Sequence, residues 1–345
     1  MRRQLEGQIA LVAGATRAAG RGIAQELAAA GAKVYCTGRS TRGAPATPGR
    51  PETIDETAEL IAAEGGHAVA LRVDHTVEAE VEALVAQIRA DEGRLDILVN
   101  DIWGGDELVD WSAPFWKEDM AVVRTLVDRA ILSHWITARY CAPMMVEANR
   151  GLIVEVTDGS DPGYRGQLLF DFIKAGLIRL AYAMAWDLAT TRVTALALSP
   201  GFLRSEAMLE RFGVTEANWR DGVERDPDFA ASETPRYVGR AVVALAADPN
   251  LRARAGGAYF TADLAEEYGF TDVDGGQPHF WKSVLARLAP ELAGEAELSP
   301  WARLHAAGRY QKLHLSAEHA DEARLLAGRL GWKRFGAGLQ PVGRL

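Results

Sequence analysis

Residues 8–38 read Q-I-A-L-V-A-G-A-T-R-A-A-G-R-G-I-A-Q-E-L-A-A-A-G-A-K-V-Y-C-T-G, and this stretch decides the fold. The apolar run 8–13 predicts a buried strand. Gly14 to Gly22 form a glycine-rich turn, and a helix follows from about 20 to 30, stopped by Gly31. Lys33 to Thr37 predict a second apolar strand, followed by Gly38-Arg39-Ser40. Strand, glycine turn, helix and strand make a right-handed βαβ unit. A glycine turn at a helix N-terminus lets the backbone approach a pyrophosphate. A tight turn with no ligand is the plain alternative. The arginines add information. A carboxylate at the end of the second strand would bind a ribose diol, but Arg39 stands there and Arg17 lies in the turn. Two guanidiniums suit a 2′-phosphate, which favours NADP(H) over NAD(H).

Outward from this unit the alternation continues. Helices are expected at about 52–64 and 77–92, with strands at 67–73, ending at Asp74, and at 95–99. A long helical region spans about 114–147, kinked near Pro143. A strand at 152–156 precedes a helix at about 168–189, whose Ile173, Leu177, Leu180, Met184 and Leu188 repeat at helical spacing. A strand at 193–198, an amphipathic flap at 202–231, a helix at 235–247 and a short strand near 258–261 complete the pattern. The expectation is an α/β fold: a Rossmann-like, doubly wound parallel sheet of about seven strands with helices on both faces, over residues 1–270. From about residue 275 short helical stretches are separated by Gly and Pro. Residues 275–345 are expected to form a C-terminal helical extension, a lid or oligomer arm.

The 345 residues are 48% hydrophobic and 25% charged, with a net charge of −9. An acidic balance weighs against nucleic acid or anionic membranes as partners. No apolar run of about 18 residues predicts a membrane span. The first residues lack an apolar signal core. Cys36 and Cys141 lie in apolar contexts and read as buried thiols. A cytoplasmic protein without a metal site is expected.

Several ordered motifs now converge: A-G-A-T-R-A-A-G-R-G at 13–22, Asp74 after the third strand, L-D-I-L-V-N-D at 95–101, the Lys174 helix, and S-P-G-F-L-R-S at 199–205. Over roughly residues 6–262 the chain resembles the short-chain dehydrogenase/reductase family. The resemblance implies that Gly14, Thr16, Arg17, Ala18 and Gly20 border the pyrophosphate and ribose of the cofactor. It places Asp74 and His75 at the adenine, Asn100 along the adenosine ribose, and Pro200 and Gly201 beside the nicotinamide. Ala18 replaces the family's middle glycine, adding only a methyl. Asp101, Ile102 and Trp103 replace the end of N-N-A-G, which puts Trp103 either in the substrate wall or in the core.

The family's catalytic positions are altered. Lys174 is retained to hold the ribose. The tyrosine place holds Phe170, and the serine place holds Asp158, with Thr157 and Ser160 as alternatives if the loop is offset. The asparagine place falls near Asp128. Phenylalanine has no proton to give, and an ionised aspartate would repel a developing oxyanion. Three readings stand. In one, the enzyme reduces a small organic carbonyl or imine, or oxidises an alcohol, with Tyr164 or Asp158 as the acid; a cationic imine needs none. In another, a lyase, isomerase or cyclase uses Asp158, Asp171, Asp128 or His134. In the third, the protein binds NADP(H) without turnover. Trp103, Phe202 and Trp219 are expected to face the substrate, joined by Phe280, Trp281 and Trp301. A homodimer or homotetramer is expected through the two long helices.

Overall fold

The computed structural model describes residues 3–160, 165–280, 282–283, 332–335 and 338–341. Seven parallel strands form one sheet: β1 (Ile9–Ala13), β2 (Lys33–Gly38), β3 (His67–Arg72), β4 (Ile97–Asn100), β5 (Gly151–Val156), β6 (Val193–Ser199) and β7 (Ala258–Phe260). Their order is β3-β2-β1-β4-β5-β6-β7. The order reverses between β1 and β4, so a crevice opens beyond their carboxyl ends.

Strand residues alternate between two cores, because successive side chains point to opposite faces. Ala10 and Val12 of β1 pack with α1 (Ala18–Ala29), α2 (Ile54–Ala63) and α8 (Pro235–Ala247). Ile9 and Leu11 face α3 (Glu78–Glu92), α5 (Ser133–Glu147) and the end of α6 (Leu168–Asp187). Also helical among the described residues are α4 (Met120–Val127), α7 (Glu206–Phe212) and α9 (Thr261–Tyr268). The doubly wound sheet expected from the apolar strand runs is the observed architecture.

The long helix differs from its expected form. It starts at Met120, where the Asp119 side chain accepts from the Ala121 amide, after a 3-10 turn at Phe115–Lys117. A π-turn, Asp128–Leu132, joins α4 to α5. Pro143 lies within α5. A π-turn inserts one residue per turn and re-aims the side chains around it, often at a functional site. It carries Arg129 into the crevice. Gln167 caps α6, accepting from the Phe170 amide at 2.7 Å. The 202–231 region is α7 plus two 3-10 turns, Trp219–Glu224 and Pro227–Ala231. Of the extension, Trp332–Phe335 and Gly338–Pro341 form an antiparallel hairpin rather than helix. Residues 284–331, with Trp301, lie outside the described residues, as does Trp281.

Candidate cofactor and active site

A cleft of about 620 Å³ runs along the carboxyl edge of the sheet, from the glycine turn to Lys174. At its nucleotide end Gly14 has φ +95°. A Cβ there would stand 2.3 Å from the Asp101 carbonyl oxygen, so only glycine fits. Ala18, read from sequence as a mere added methyl, has φ +49°. Its backbone is in the left-handed region, so the alanine carries strain of roughly 1 kcal/mol that glycine would not. Gly20 lies beneath the turn, outside the cleft lining.

Thr16, Arg17, Arg39 and Asp74 line this end together. Arg17 donates to Thr47 Oγ1 at 2.8 Å and pairs with Glu52 at 3.2 Å. Arg39 stands 4.0 Å from Asp74. Burial, then the neighbouring Arg129 guanidinium, lowers the Arg39 pKa from its ordinary value. Asp74 is held below the usual carboxylate range against its burial. The Thr76 hydroxyl and amide donate to its Oδ1 at 2.7 and 3.0 Å, and Arg39 lies near. His75 is buried in the wall with its two ring nitrogens 2.8 Å from Thr37 Oγ1 and Thr137 Oγ1. Burial, with His134 nearby, drives its pKa down to about 3, so it is neutral.

The loop after β4 is tied from behind. Asn100 is fully buried and turns its side chain inward, donating to Glu155 Oε1 at 2.8 Å. The side chain therefore does not line the cleft as the family resemblance had implied. His134, also fully buried, spans Glu155 Oε2 at 2.5 Å and the Ile102 carbonyl at 2.9 Å. It holds the loop and does not reach the cleft, which removes it as an acid or base. Asp101 does line the cleft. Burial pushes its carboxyl up to about 7, opposed by Lys174, the Gly20 amide and His134.

A prediction follows from the sign of that shift. The folded protein keeps a proton on Asp101 that the unfolded chain loses near pH 4. The site's contribution therefore falls as pH rises from about 4 to about 7. Asp101→Asn keeps the acceptor for Gly20 and carries no charge. It should exceed the parent in stability by roughly 4 kcal/mol at pH 8 and by little at pH 4. Thermal unfolding at both values checks this; equal differences at the two would contradict it.

At the reaction end, Trp103, Phe170, Thr157, Asp158 and Lys174 converge on the cleft. Lys174 Nζ lies 4.5 Å from the centre of the Trp103 ring and 5.7 Å from that of Phe170. The Trp103 and Phe170 rings meet edge to face at 5.5 Å, and the Trp111 ring lies 5.1 Å from that of Phe170, tilted by 50°. Trp103 is thus cleft wall, its Nε1 donating to Asp106 at 2.6 Å. The Thr157 hydroxyl donates to the Lys174 carbonyl at 2.7 Å, so it fastens α6 rather than facing a substrate. Asp158 lines the cleft, and its backbone carbonyl accepts from the buried Arg165. Asp171 is engaged with the same arginine at 2.9 Å and clamps the loop onto α6. Asp128 is exposed and outside the cleft. Tyr164 lies outside the described residues.

Pro200, Gly201, Phe202 and Phe280 close the cleft from the flap side. Trp219 does not: it packs on Phe229 within the flap's own core, with Arg204 over its face. Phe212, Trp219 and Phe229 cover one another, which an amphipathic sequence cannot distinguish from covering a substrate. Behind Gly201, burial pushes the Glu233 carboxyl up to about 8. Cys36 and Cys141 are buried free thiols, each raised to about 12 by burial. Sequence reading missed Arg129, Asp106 and Asp226 as cleft residues. Each reaches it through a loop or π-turn that leaves no periodic signal. Among the described residues no cluster of metal-ligating side chains occurs, and no helix is long and apolar enough to cross a membrane.

This geometry can be set beside known proteins. The short chain dehydrogenase family model matches residues 8–213. Dehydrogenase/reductase SDR family member 1 of Mus musculus is 34% identical over 276 residues, 79% of this chain and 85% of the relative. The Homo sapiens protein of the same name is 32% identical over 281 residues, with the same coverage. A 3-oxoacyl-[acyl-carrier-protein] reductase of Escherichia coli is 31% identical over 206 residues, 58% of this chain and 75% of the relative. Two solved structures share the fold. A hydroxysteroid dehydrogenase from Escherichia coli has a TM-score of 0.59 at 24% identity, over 74% of this chain and 95% of its own. A metagenomic short-chain oxidoreductase in complex with NADP has a TM-score of 0.54 at 23% identity, over 72% and 94%.

Proposed function

The chain belongs to the short-chain dehydrogenase family, and from that we propose that it binds NADP(H) in the cleft and moves hydride between it and a small organic substrate. The observation that carries this reading is the continuity of the cleft. One wall joins Arg17, Arg39 and the Gly14 turn to Lys174 and Pro200-Gly201. The Gly14 turn lines the cleft and packs directly on the Asp101 backbone, where a Cβ would clash, and a tight glycine turn of this kind at a helix N-terminus suits a pyrophosphate. Arg17 and Arg39 would hold the 2′-phosphate, Lys174 the nicotinamide ribose, and the Pro200 loop the nicotinamide. The cofactor supplies the hydride; the chain orients the substrate and manages charge.

Among substrate classes, a protonated imine fits the altered side chains best. Phe170 offers no proton, and a C=N⁺ carbon accepts hydride without one, its nitrogen keeping the electron pair as a neutral amine. Asp158, with the faces of Trp103 and Phe170, favours such a cation. Carbonyl reduction instead needs an acid, for which Asp101 and Asp158 are two of the carboxyls lining the cleft. The test is a panel of cyclic imines and matched ketones, followed by loss of reduced-nicotinamide absorbance. Turnover of imines alone supports the cation reading. NADPH binding without turnover of either class favours the second reading, non-redox acid–base chemistry at Asp158, for which Phe170 is the motive.

Cofactor choice is separately testable. Arg39→Ala should weaken NADPH at least about 10-fold, since hydrogen bonds to charged groups contribute roughly 1.5–3 kcal/mol, and leave NADH nearly unchanged. Titration by nicotinamide fluorescence decides; equal weakening of both would remove Arg39 from the 2′-phosphate. Self-association through α5 and α6 is also proposed. Trp135, Phe172 and Trp186 stand 58, 57 and 67% exposed on these helices. Among the described residues no helix is long and apolar enough to cross a membrane, and a cytoplasmic setting is proposed.

A further inference from the structure

Amides at the start of α1 are already engaged by side-chain carboxyl groups. Ala18 N donates to Glu206 Oε2 at 2.9 Å, across 188 residues of sequence. The next amide but one, Gly20, faces the Asp101 carboxyl. These amides form the positive pole of a 12-residue helix that has no acidic residue in its first turn and no side-chain cap from Arg17. The Asp101 carboxyl belongs to the sheet's own loop. Glu206 does not: it is the first residue of α7, in the flap. Ala18 and Ala19 on one side, and Ser205 and Met208 on the other, line the cleft, so Glu206 bridges its two walls.

Among the described residues, two ion pairs also tie the flap to the nucleotide end. Glu206 Oε1 lies 3.5 Å from Arg21, whose guanidinium is already engaged by Glu56 at 2.5 Å and the Thr16 carbonyl at 2.8 Å. Glu210, one turn on, meets Arg50 at 2.6 Å but is 66% exposed. Surface pairs of that kind contribute little. The Glu206 contact with Ala18 is therefore the charge-assisted bond that closes the flap onto the glycine turn.

We propose that Glu206 is an affinity-setting latch: its carboxylate occupies the Ala18 amide that the cofactor pyrophosphate needs, so binding must displace it and release the start of α7. The inference rests on the NADP(H) reading above. A carboxylate and a pyrophosphate are both anions and compete for one helix pole. Displacing Glu206 also frees the segment that follows Pro200-Gly201, so cofactor entry would loosen the flap before substrate arrives.

The test is a calorimetric titration of the full chain with NADPH, NADH and ADP-ribose. Glu206→Gln removes the charge and keeps the shape; Glu206→Ala removes the contact. Both should tighten all three ligands by a similar factor, roughly 3- to 10-fold, the range expected for one charge at a helix terminus. Glu210→Gln removes the charge of the Arg50 pair and leaves the Ala18 contact; it should change affinity less than twofold. Unchanged or weaker binding in both Glu206 variants, with the parent binding normally, would overturn the latch while leaving the cofactor reading intact. Tightening confined to NADPH would overturn it too, since the effect would then lie at the 2′-phosphate. If neither the parent nor the variants bind any of the three, the NADP(H) reading fails and the latch with it.

Discussion

Phe170→Tyr is expected to raise ketone reduction by roughly 100-fold or more over the parent, the range a positioned general acid contributes. Phe170 lines the cleft, and its amide is fixed by the Gln167 cap, so the ring is held from the first turn of α6. Lys174 Nζ already stands 5.7 Å from the ring centre. An ammonium that close lowers a phenol's pKa and readies its proton for transfer. The rings of Trp103 and Trp111 pack against the sides of Phe170, and adding one oxygen leaves both contacts in place. Reduction of a protonated imine, which needs no acid, should change less than about threefold, since general-acid help is absent from that step. Steady-state rates for a matched ketone and imine measure both numbers. If the tyrosine variant reduces no ketone, the aspartate at 158 rather than the missing oxygen blocks the reaction, and Asp158→Ser becomes the informative replacement.

Lys174→Met should weaken NADPH binding by roughly 10- to 100-fold and abolish measurable turnover, because a charge-assisted bond to the ribose contributes about 1.5–3 kcal/mol. The loss is not expected to come from unfolding. The Lys174 backbone carbonyl, which accepts from Thr157, is untouched, and methionine can replace the ammonium against the Trp103 face. An unchanged dissociation constant with an unchanged melting temperature would make Lys174 a packing partner of Trp103 and nothing more.

How much of this was legible in the residues differs by region. The βαβ start, the strand sequence and the Lys174 helix follow from apolar runs, glycine placement and helical spacing, all of which are local. The two arginines at the nucleotide end were legible because their chemistry is carried by their place relative to one strand and one turn. The inward Asn100 was not, because its bond to Glu155 joins two strands 55 residues apart. His134 looked like an ordinary helix residue, since a sequence does not say that it bridges Glu155 and the Ile102 carbonyl. Trp219 was misplaced for a related reason: whether an apolar face covers a ligand or its own neighbours is settled by tertiary packing. The strain at Ala18 was invisible because it resides in a backbone angle, not in the methyl that the substitution adds.

The chain belongs to the short-chain dehydrogenase family, and its cleft is proposed to have an NADP(H)-binding nucleotide end and an altered acid end. Nicotinamide fluorescence during titration of the purified chain with NADPH and, separately, NADH tests that account most directly. Saturable binding with NADPH at least about 10-fold tighter than NADH is the predicted result, from the charge-assisted contacts of Arg17 and Arg39. Failure of either nucleotide to bind, or a preference for NADH, would contradict it.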